Sequence, residues 1–217
     1  MVNYELLKKL CLAQGVSGDE GAVREIIINE IKDYADYRID NLGNILVHKK
    51  GKNPAKSRLM LSAHMDEVGL MVVDVTSEGF LKFDEIGGID RRVLLGKSVT
   101  VGKNKVHGVI GVKPIHLSKG DEAQNIPEMS DMYIDIGADA AEEALAVVSP
   151  GDSVFYNCEF LENEYMINSK AIDDRFGCCV LISLIQSDLE YDADFAFVVQ
   201  EEVGLRGAGV AAAQLDP

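Results

Sequence analysis

Glu201 and Glu202 stand just beyond an apolar run, Phe195 to Val199, and they open a glycine-rich turn, Val203 to Gly209. Carboxylates at the mouth of a buried strand lose hydration and need a partner, and a metal ion is the obvious one. One glutamate would then bind the ion while its neighbour faces a reacting water as general base. A second cluster, His64-Met-Asp66, ends the apolar run Arg58 to Ala63. Residues i and i+2 of an extended chain share a side. Asp66 can therefore reach one imidazole nitrogen while the other binds metal. The third cluster is Asp173-Asp174, just before an apolar helical run. One of these acids can bridge two ions. Each cluster also has an ordinary reading: a His-x-Asp without metal, helix-dipole charges, or a solvated acidic loop.

Other signals carry less. Gly204, Gly207 and Gly209 follow a strand and open a helix, but their spacing reverses the dinucleotide-binding pattern, and two carboxylates stand where phosphate would come. Neither a P-loop nor a nucleophile elbow is present. His48, His107 and His116 lack a nearby acid at ligand spacing and read as surface or loop histidines. Cys11, Cys158, Cys178 and Cys179 form no Cys-x-x-Cys pair and read as reduced thiols in or near a core.

The elements that must position these clusters divide the chain in three. Tyr4 to Gln14 reads as an amphipathic helix. Ser17-Gly-Asp-Glu20 reads as a capping box that opens a second helix, with Val23, Ile27, Ile31 and Tyr34 on one face. Tyr37–Asp40 and Ile45–Lys49 flank a hairpin signal, Asn41 to Asn44. Residues 58–63 read as a strand covered on both faces. From residue 68, strand-like segments recur at 68–75, 80–86, 98–101, 105–112, 132–136 and 153–160, with a short helix at 139–147. That β-rich stretch reads as a small barrel. Its residues 121–143 hold eight acids and no base, the mark of a solvated face or loop. From residue 163 the α/β character returns, with a buried helix at 178–185, a covered strand at 195–199 and a helix from Gly207 to Leu215. The expectation is an α/β domain, 1–67 and 163–217, split by an inserted β domain, 68–162.

At 217 residues and 47% apolar composition the chain can bury a full core. Its 36 acidic and 21 basic side chains give a net charge of −15, which argues against nucleic acid and anionic membranes as partners. The start, Met1-Val-Asn-Tyr-Glu5, lacks the basic and apolar pattern of a signal peptide, and no apolar run approaches a membrane span. A cytoplasmic location is the expectation.

Taken in order, Leu61–Gly69, Met132–Ala138, Ala171–Gly177 and Gln200–Ala208 closely resemble the M42 family of metallo-aminopeptidases. These are glutamyl, leucyl and related enzymes that build tetrahedral dodecamers, some labelled endoglucanases. The resemblance implies an α/β catalytic domain of the co-catalytic zinc-peptidase type, interrupted by a β-barrel-like dimerisation domain. It implies two divalent metal ions, zinc or cobalt. His64 is then a terminal ligand of one ion, Glu202 a ligand of the other, and Asp173 the bridging carboxylate, its bond to Asp174 cis. Glu201 is the general base and Asp66 orients His64. The implied reaction removes N-terminal residues from short peptides, in a homo-oligomer whose inserted domain pairs subunits and shapes the specificity pocket.

Members of the family also use an aspartate on the next strand and a late histidine, and neither motif occurs in these residues. The chain therefore reads as an N-terminal fragment in which each ion keeps two of its three protein ligands. Two other readings stand beside it. One is a catalytically inactive short homologue that serves as an oligomer subunit. The other is a related co-catalytic zinc hydrolase, a carboxypeptidase or deacylase, against which the string Glu201–Gly207 argues.

Overall fold

A computed structural model describes residues 3–113 and 125–217. His116 and part of the acidic stretch, residues 121–124, lie outside the described residues. The elements, in order, are α1 (Tyr4–Leu12), α2 (Gly21–Ile31), β1 (Asp36–Ile39), β2 (Ile45–Lys49), β3 (Met60–His64), β4 (Gly69–Val75), β5 (Leu81–Ile86), β6 (Ser98–Val101), β7 (Val106–Val112), β8 (Met132–Asp135), α3 (Ala141–Leu145), β9 (Ser153–Tyr156), β10 (Leu161–Glu162), β11 (Ile167–Asn168), α4 (Ile172–Ile185), β12 (Ala193–Val198) and α5 (Arg206–Leu215). They form two compact units, residues 1–67 with 158–217, and residues 68–157. Residues 158–162 group with the discontinuous unit rather than with the β-rich stretch. Phe160 packs on that unit's core, and β10 pairs with β11.

The discontinuous unit is α/β. Its sheet has the order β1-β2-β12-β3, antiparallel except for β12 and β3, which run parallel. Every residue of β12 is buried, because the strand is central and both faces are covered. Phe195, Phe197 and Val199 point to the core built by α1, α2 and α4. Ala196 and Val198, on the opposite side, pack with Ala211 and Leu215 of α5. The alternation of bulky and small side chains along β12 follows this difference between faces. β3 is more open than a doubly covered strand: Met60 and Leu61 are half-buried and Ser62 is exposed. Among the described residues β3 pairs only with β12, so its outer edge and part of its face stay open.

Helix starts also depart from the sequence reading. Asn3 caps α1 by accepting the Leu6 N–H at 3.1 Å. The capping box proposed for α2 does not form. Its N-cap is Glu20, with no side-chain capping bond, while Ser17 and Glu20 turn to other partners. Val23, Ile27 and Ile31 are fully buried as their spacing requires, but the helix ends at Ile31, and Tyr34 beyond it is 49% exposed. Cys11, Cys178 and Cys179 are buried and reduced, whereas Cys158 is exposed.

The other unit is a closed barrel, in the order β4-β5-β8-β7-β6-β9 and back to β4, with every pair antiparallel. Alternate residues fill its interior, among them Leu70, Val72, Leu81, Val99, Val101, Ile110, Met132, Ile134 and Val154. Closure leaves no open edge. β8 lies inside the acidic stretch, and only its outer side is solvated: Met132 and Ile134 are fully buried. No helix among the described residues is long and apolar enough to cross a membrane.

The small residues of α5 matter for the site. A Cβ on Gly207 would lie 2.3 Å from the Val199 carbonyl oxygen and 2.5 Å from Asn44 Oδ1. Gly207→Ala is therefore expected to destabilise the fold by about 1–3 kcal/mol, as overpacking does. Urea unfolding measures it, and a shift of the midpoint to lower urea is the expected result.

Candidate metal centre

His64 ends β3, directly opposite Val198 of the parallel neighbour β12. Three residues further on, the chain after β12 turns sharply and carries Glu201 and Glu202. In open α/β sheets such carboxyl ends of strands are where ligands gather. One ligand atom from each of His64, Glu201 and Glu202 falls within 4.8 Å of the others, His64 buried and both glutamates half-buried. His64 Nε2 lies 3.1 Å from Asp173 Oδ1 and 3.9 Å from Glu201 Oε2. Asp173 thus meets His64 but stands outside the tighter trio. Its side chain is 91% exposed.

The two aspartates before α4 divide their tasks. Asp173 and Asp174 have non-helical backbone angles, and the peptide bond between them is cis. Asp174 accepts the Gly177 N–H at 3.0 Å, which is the N-cap bond of the regular helix, and the His64 N–H at 3.3 Å. A Cβ on Gly177 would meet the Asp174 carboxylate at 2.3 Å, so glycine is needed there. The helix-terminus reading of the acidic pair thus describes Asp174, while Asp173 is left facing the imidazole. Burial pushes the Asp174 carboxyl above the usual carboxylate range.

Asp66 is fully buried and holds the site together. Its Oδ1 accepts the Glu201 N–H at 3.0 Å. Its Oδ2 accepts the Glu202 N–H at 3.1 Å and the Ser17 hydroxyl at 2.5 Å. Toward His64 it is less direct: Nδ1 lies 3.6 Å from Oδ1 and 3.2 Å from the Asp66 carbonyl oxygen. Burial raises the Asp66 carboxyl, but the imidazole, the hydroxyl and the two N–H groups outweigh it and hold it low.

Behind this lies a buried charge cluster that motif reading passed over. Lys170 Nζ donates to both oxygens of Glu67, at 2.5 and 2.8 Å, and to the Ala13 carbonyl at 3.1 Å. Arg175, fully buried, lies 3.7 Å from Glu67 and donates to the carbonyls of Leu10 and Gly15, at 2.6 and 3.3 Å. These bonds pin the segment that carries Ser17. His48, which seemed to lack an acid, lies 2.8 Å from Asp194, its cross-strand partner. Spacing along the chain does not register a neighbour supplied by sheet pairing.

One imidazole among three ionisable carboxylates is a donor set that suits a divalent cation. The electrostatics agree. Burial raises the Glu202 carboxyl, reinforced by the charges of Glu201, Asp66 and Asp173 and opposed by His64. Burial alone would lower His64, yet the Asp66 carboxylate, Asp173 and Glu201 together push it up to about 9. This is a pocket with surplus negative charge and a nitrogen that a cation would compete for.

The sequence profile of the M42 glutamyl aminopeptidases matches residues 43–217, most of the chain. The chain belongs to that family. A Pyrococcus furiosus relative named lysyl aminopeptidase is 36% identical over the whole of this chain, which spans 64% of the relative's length. A Lactococcus lactis relative named glutamyl aminopeptidase is 34% identical over 99% of this chain, again with 64% of its own length spanned. The solved structure of the TET1 peptidase of Pyrococcus horikoshii superposes with a TM-score of 0.88 at 42% identity. The match covers 99% of this chain and 66% of that one. The chain thus spans less than two thirds of the length of these curated relatives.

The raised His64 value has a direct consequence. In the metal-free chain the protonated imidazole stabilises the fold. That contribution is complete below the unfolded value of about 6.5 and is lost as pH rises through about 9. A cation that bound the imidazole would have to displace this proton. If His64 takes up a divalent cation, its apparent affinity is expected to rise about tenfold per pH unit from roughly pH 7 and to flatten above about 9, as read by titration calorimetry in non-coordinating buffers.

Proposed function

We propose that this chain carries the core of a metal-dependent aminopeptidase site that removes N-terminal residues from short peptides. The observation that carries this reading is the convergence of His64, Glu201 and Glu202 within 4.8 Å at the ends of two adjacent parallel strands. The names of the family relatives support the reaction class.

In this reading His64 and Asp173 would hold one divalent ion, and Asp173 and Glu202 a second, zinc or cobalt, in a co-catalytic zinc-peptidase arrangement. Ions bound there supply Lewis acidity toward water and a peptide carbonyl. Glu201 takes a proton from the attacking water and returns it to the departing amine. Asp66 orients the imidazole and holds the turn on which both glutamates ride. The two ligands per ion that these residues supply are one short of the usual three. The 217 residues by themselves are therefore expected to bind metal weakly and to turn over slowly.

The Pyrococcus horikoshii peptidase is described as assembling into a tetrahedron or a large octahedral shell. A second TET1 structure is described as a dodecamer, and we infer that copies of this chain assemble likewise, with the barrel unit pairing them, and that the protein works in the cytoplasm.

Cobalt binding and release of p-nitroaniline from aminoacyl p-nitroanilides test the reading. Glu201→Gln is expected to keep cobalt binding and to lower turnover about 10²–10⁴-fold. Failure of the unsubstituted chain to bind cobalt overturns the site. Turnover at the rate of a full three-ligand enzyme overturns the two-ligand expectation, and binding without any turnover favours an interaction subunit.

A further inference from the structure

Four consecutive backbone N–H groups lead into the glutamate pair, and side chains from three distant places receive all four. Val199 donates to Asn44 Oδ1 at 3.0 Å. Gln200 donates to Glu20 Oε1 at 3.2 Å. Glu201 and Glu202 donate to the two oxygens of Asp66. The carbonyls of this stretch go the other way, into the turn that starts α5: Glu201 O accepts from Gly204 and Leu205, Gln200 O from Arg206, and Val199 O from Gly207. Gln200 itself is left-handed, at φ 55°. That conformation is unfavourable for a non-glycine residue and persists only where the surroundings impose it. No regular ladder is available here, so the acceptors decide the path of the backbone.

Two of those acceptors depend on Ser17-Gly-Asp-Glu20. Glu20 is 4% exposed. Its Oε1 accepts both the Gly18 and the Gln200 N–H groups, which couples its own loop to the turn. Ser17 occupies the remaining approach to Asp66 Oδ2, beside the Glu202 N–H. A buried carboxylate left one donor short would turn to find another.

We propose that Ser17 and Glu20 are positioning residues for the Glu201–Glu202 turn: Glu20 sets the left-handed step at Gln200, and Ser17 fixes the Asp66 carboxylate that holds the next two residues. Neither touches the reacting atoms. The role deepens the aminopeptidase reading and rests on it, but the geometry of the turn can be measured without metal.

The test uses the 217-residue chain in two states. In the metal-free chain, amide hydrogen exchange is followed by NMR. Glu20→Ala is expected to speed exchange at Gln200 about tenfold, and Ser17→Ala at Glu201 and Glu202, with the central β12 amides unchanged. In the cobalt-titrated chain, both variants are expected to weaken binding about tenfold, while Ile185→Val, a core truncation away from the turn, leaves it within about twofold. Glu20→Gln and Ser17→Thr keep the oxygen and the hydroxyl and are expected to restore both readouts. Unchanged local exchange in the alanine variants overturns the proposal. So does failure of the conservative variants to restore it, or acceleration spread evenly through β12. If the unsubstituted chain binds no cobalt, the aminopeptidase reading fails, while the exchange data still decide the positioning role.

Discussion

A carboxylate buried without water must be surrounded by donors, and Asp66 finds them in three parts of the chain. The Ser17 hydroxyl, the Glu201 and Glu202 N–H groups and the adjacent imidazole converge on its two oxygens. Removing any of them would leave a desolvated charge short of partners, which costs far more than an ordinary hydrogen bond contributes. This one group links the end of β3, the turn after β12 and the loop before α2. The proposed ligand Glu202 and the proposed base Glu201 ride on backbone that it holds, and the proposed ligand His64 stands beside it.

The packing beneath explains why such a group is tolerated. β12 is covered by α1, α2 and α4 on one face and by α5 on the other. Its carboxyl end therefore opens from a dry, close-packed layer. Gly207 lets α5 approach the Val199 backbone closely, and Asn44 ties that approach to the β1–β2 hairpin by donating to the Gly207 carbonyl and to Asp40. The Glu67–Lys170–Arg175 cluster closes the rear. Burial lowers the Lys170 ammonium, the Glu67 charge opposes this, and the carbonyls of Leu10, Ala13 and Gly15 accept from the two cations, leaving only Arg175 Nε without a partner. Rigid surroundings of this kind suit a site whose carboxylates must stay close despite mutual repulsion.

Much of the fold was legible beforehand because its signals are local. The barrel strands announce themselves by alternation and turns, and β12 by an unbroken apolar run. The misreadings share a cause. Ser17 and Glu20 have the spacing of a capping box, and nothing local distinguishes a serine that caps a helix from one that bonds a carboxylate 49 residues away. The β3 run is as apolar as a covered strand, yet its exposure depends on which strands flank it. Tyr34 keeps the helical phase of α2 after the helix has ended.

By itself the sequence determined the family, the α/β character with its barrel, and the residue types able to bind a cation, since each rests on local pattern or on linked motifs. Only the tertiary structure decided how those residues are held. It assigned Asp174 to the cap of α4 and left Asp173 facing His64. It made Asp66, beside the histidine, the anchor of both glutamates as well, and it drew Ser17, Glu20 and Asn44 to the same turn. The physical reason is that backbone N–H groups leaving a sheet must find acceptors wherever packing brings them. Which side chains arrive is a property of the folded chain and not of any segment.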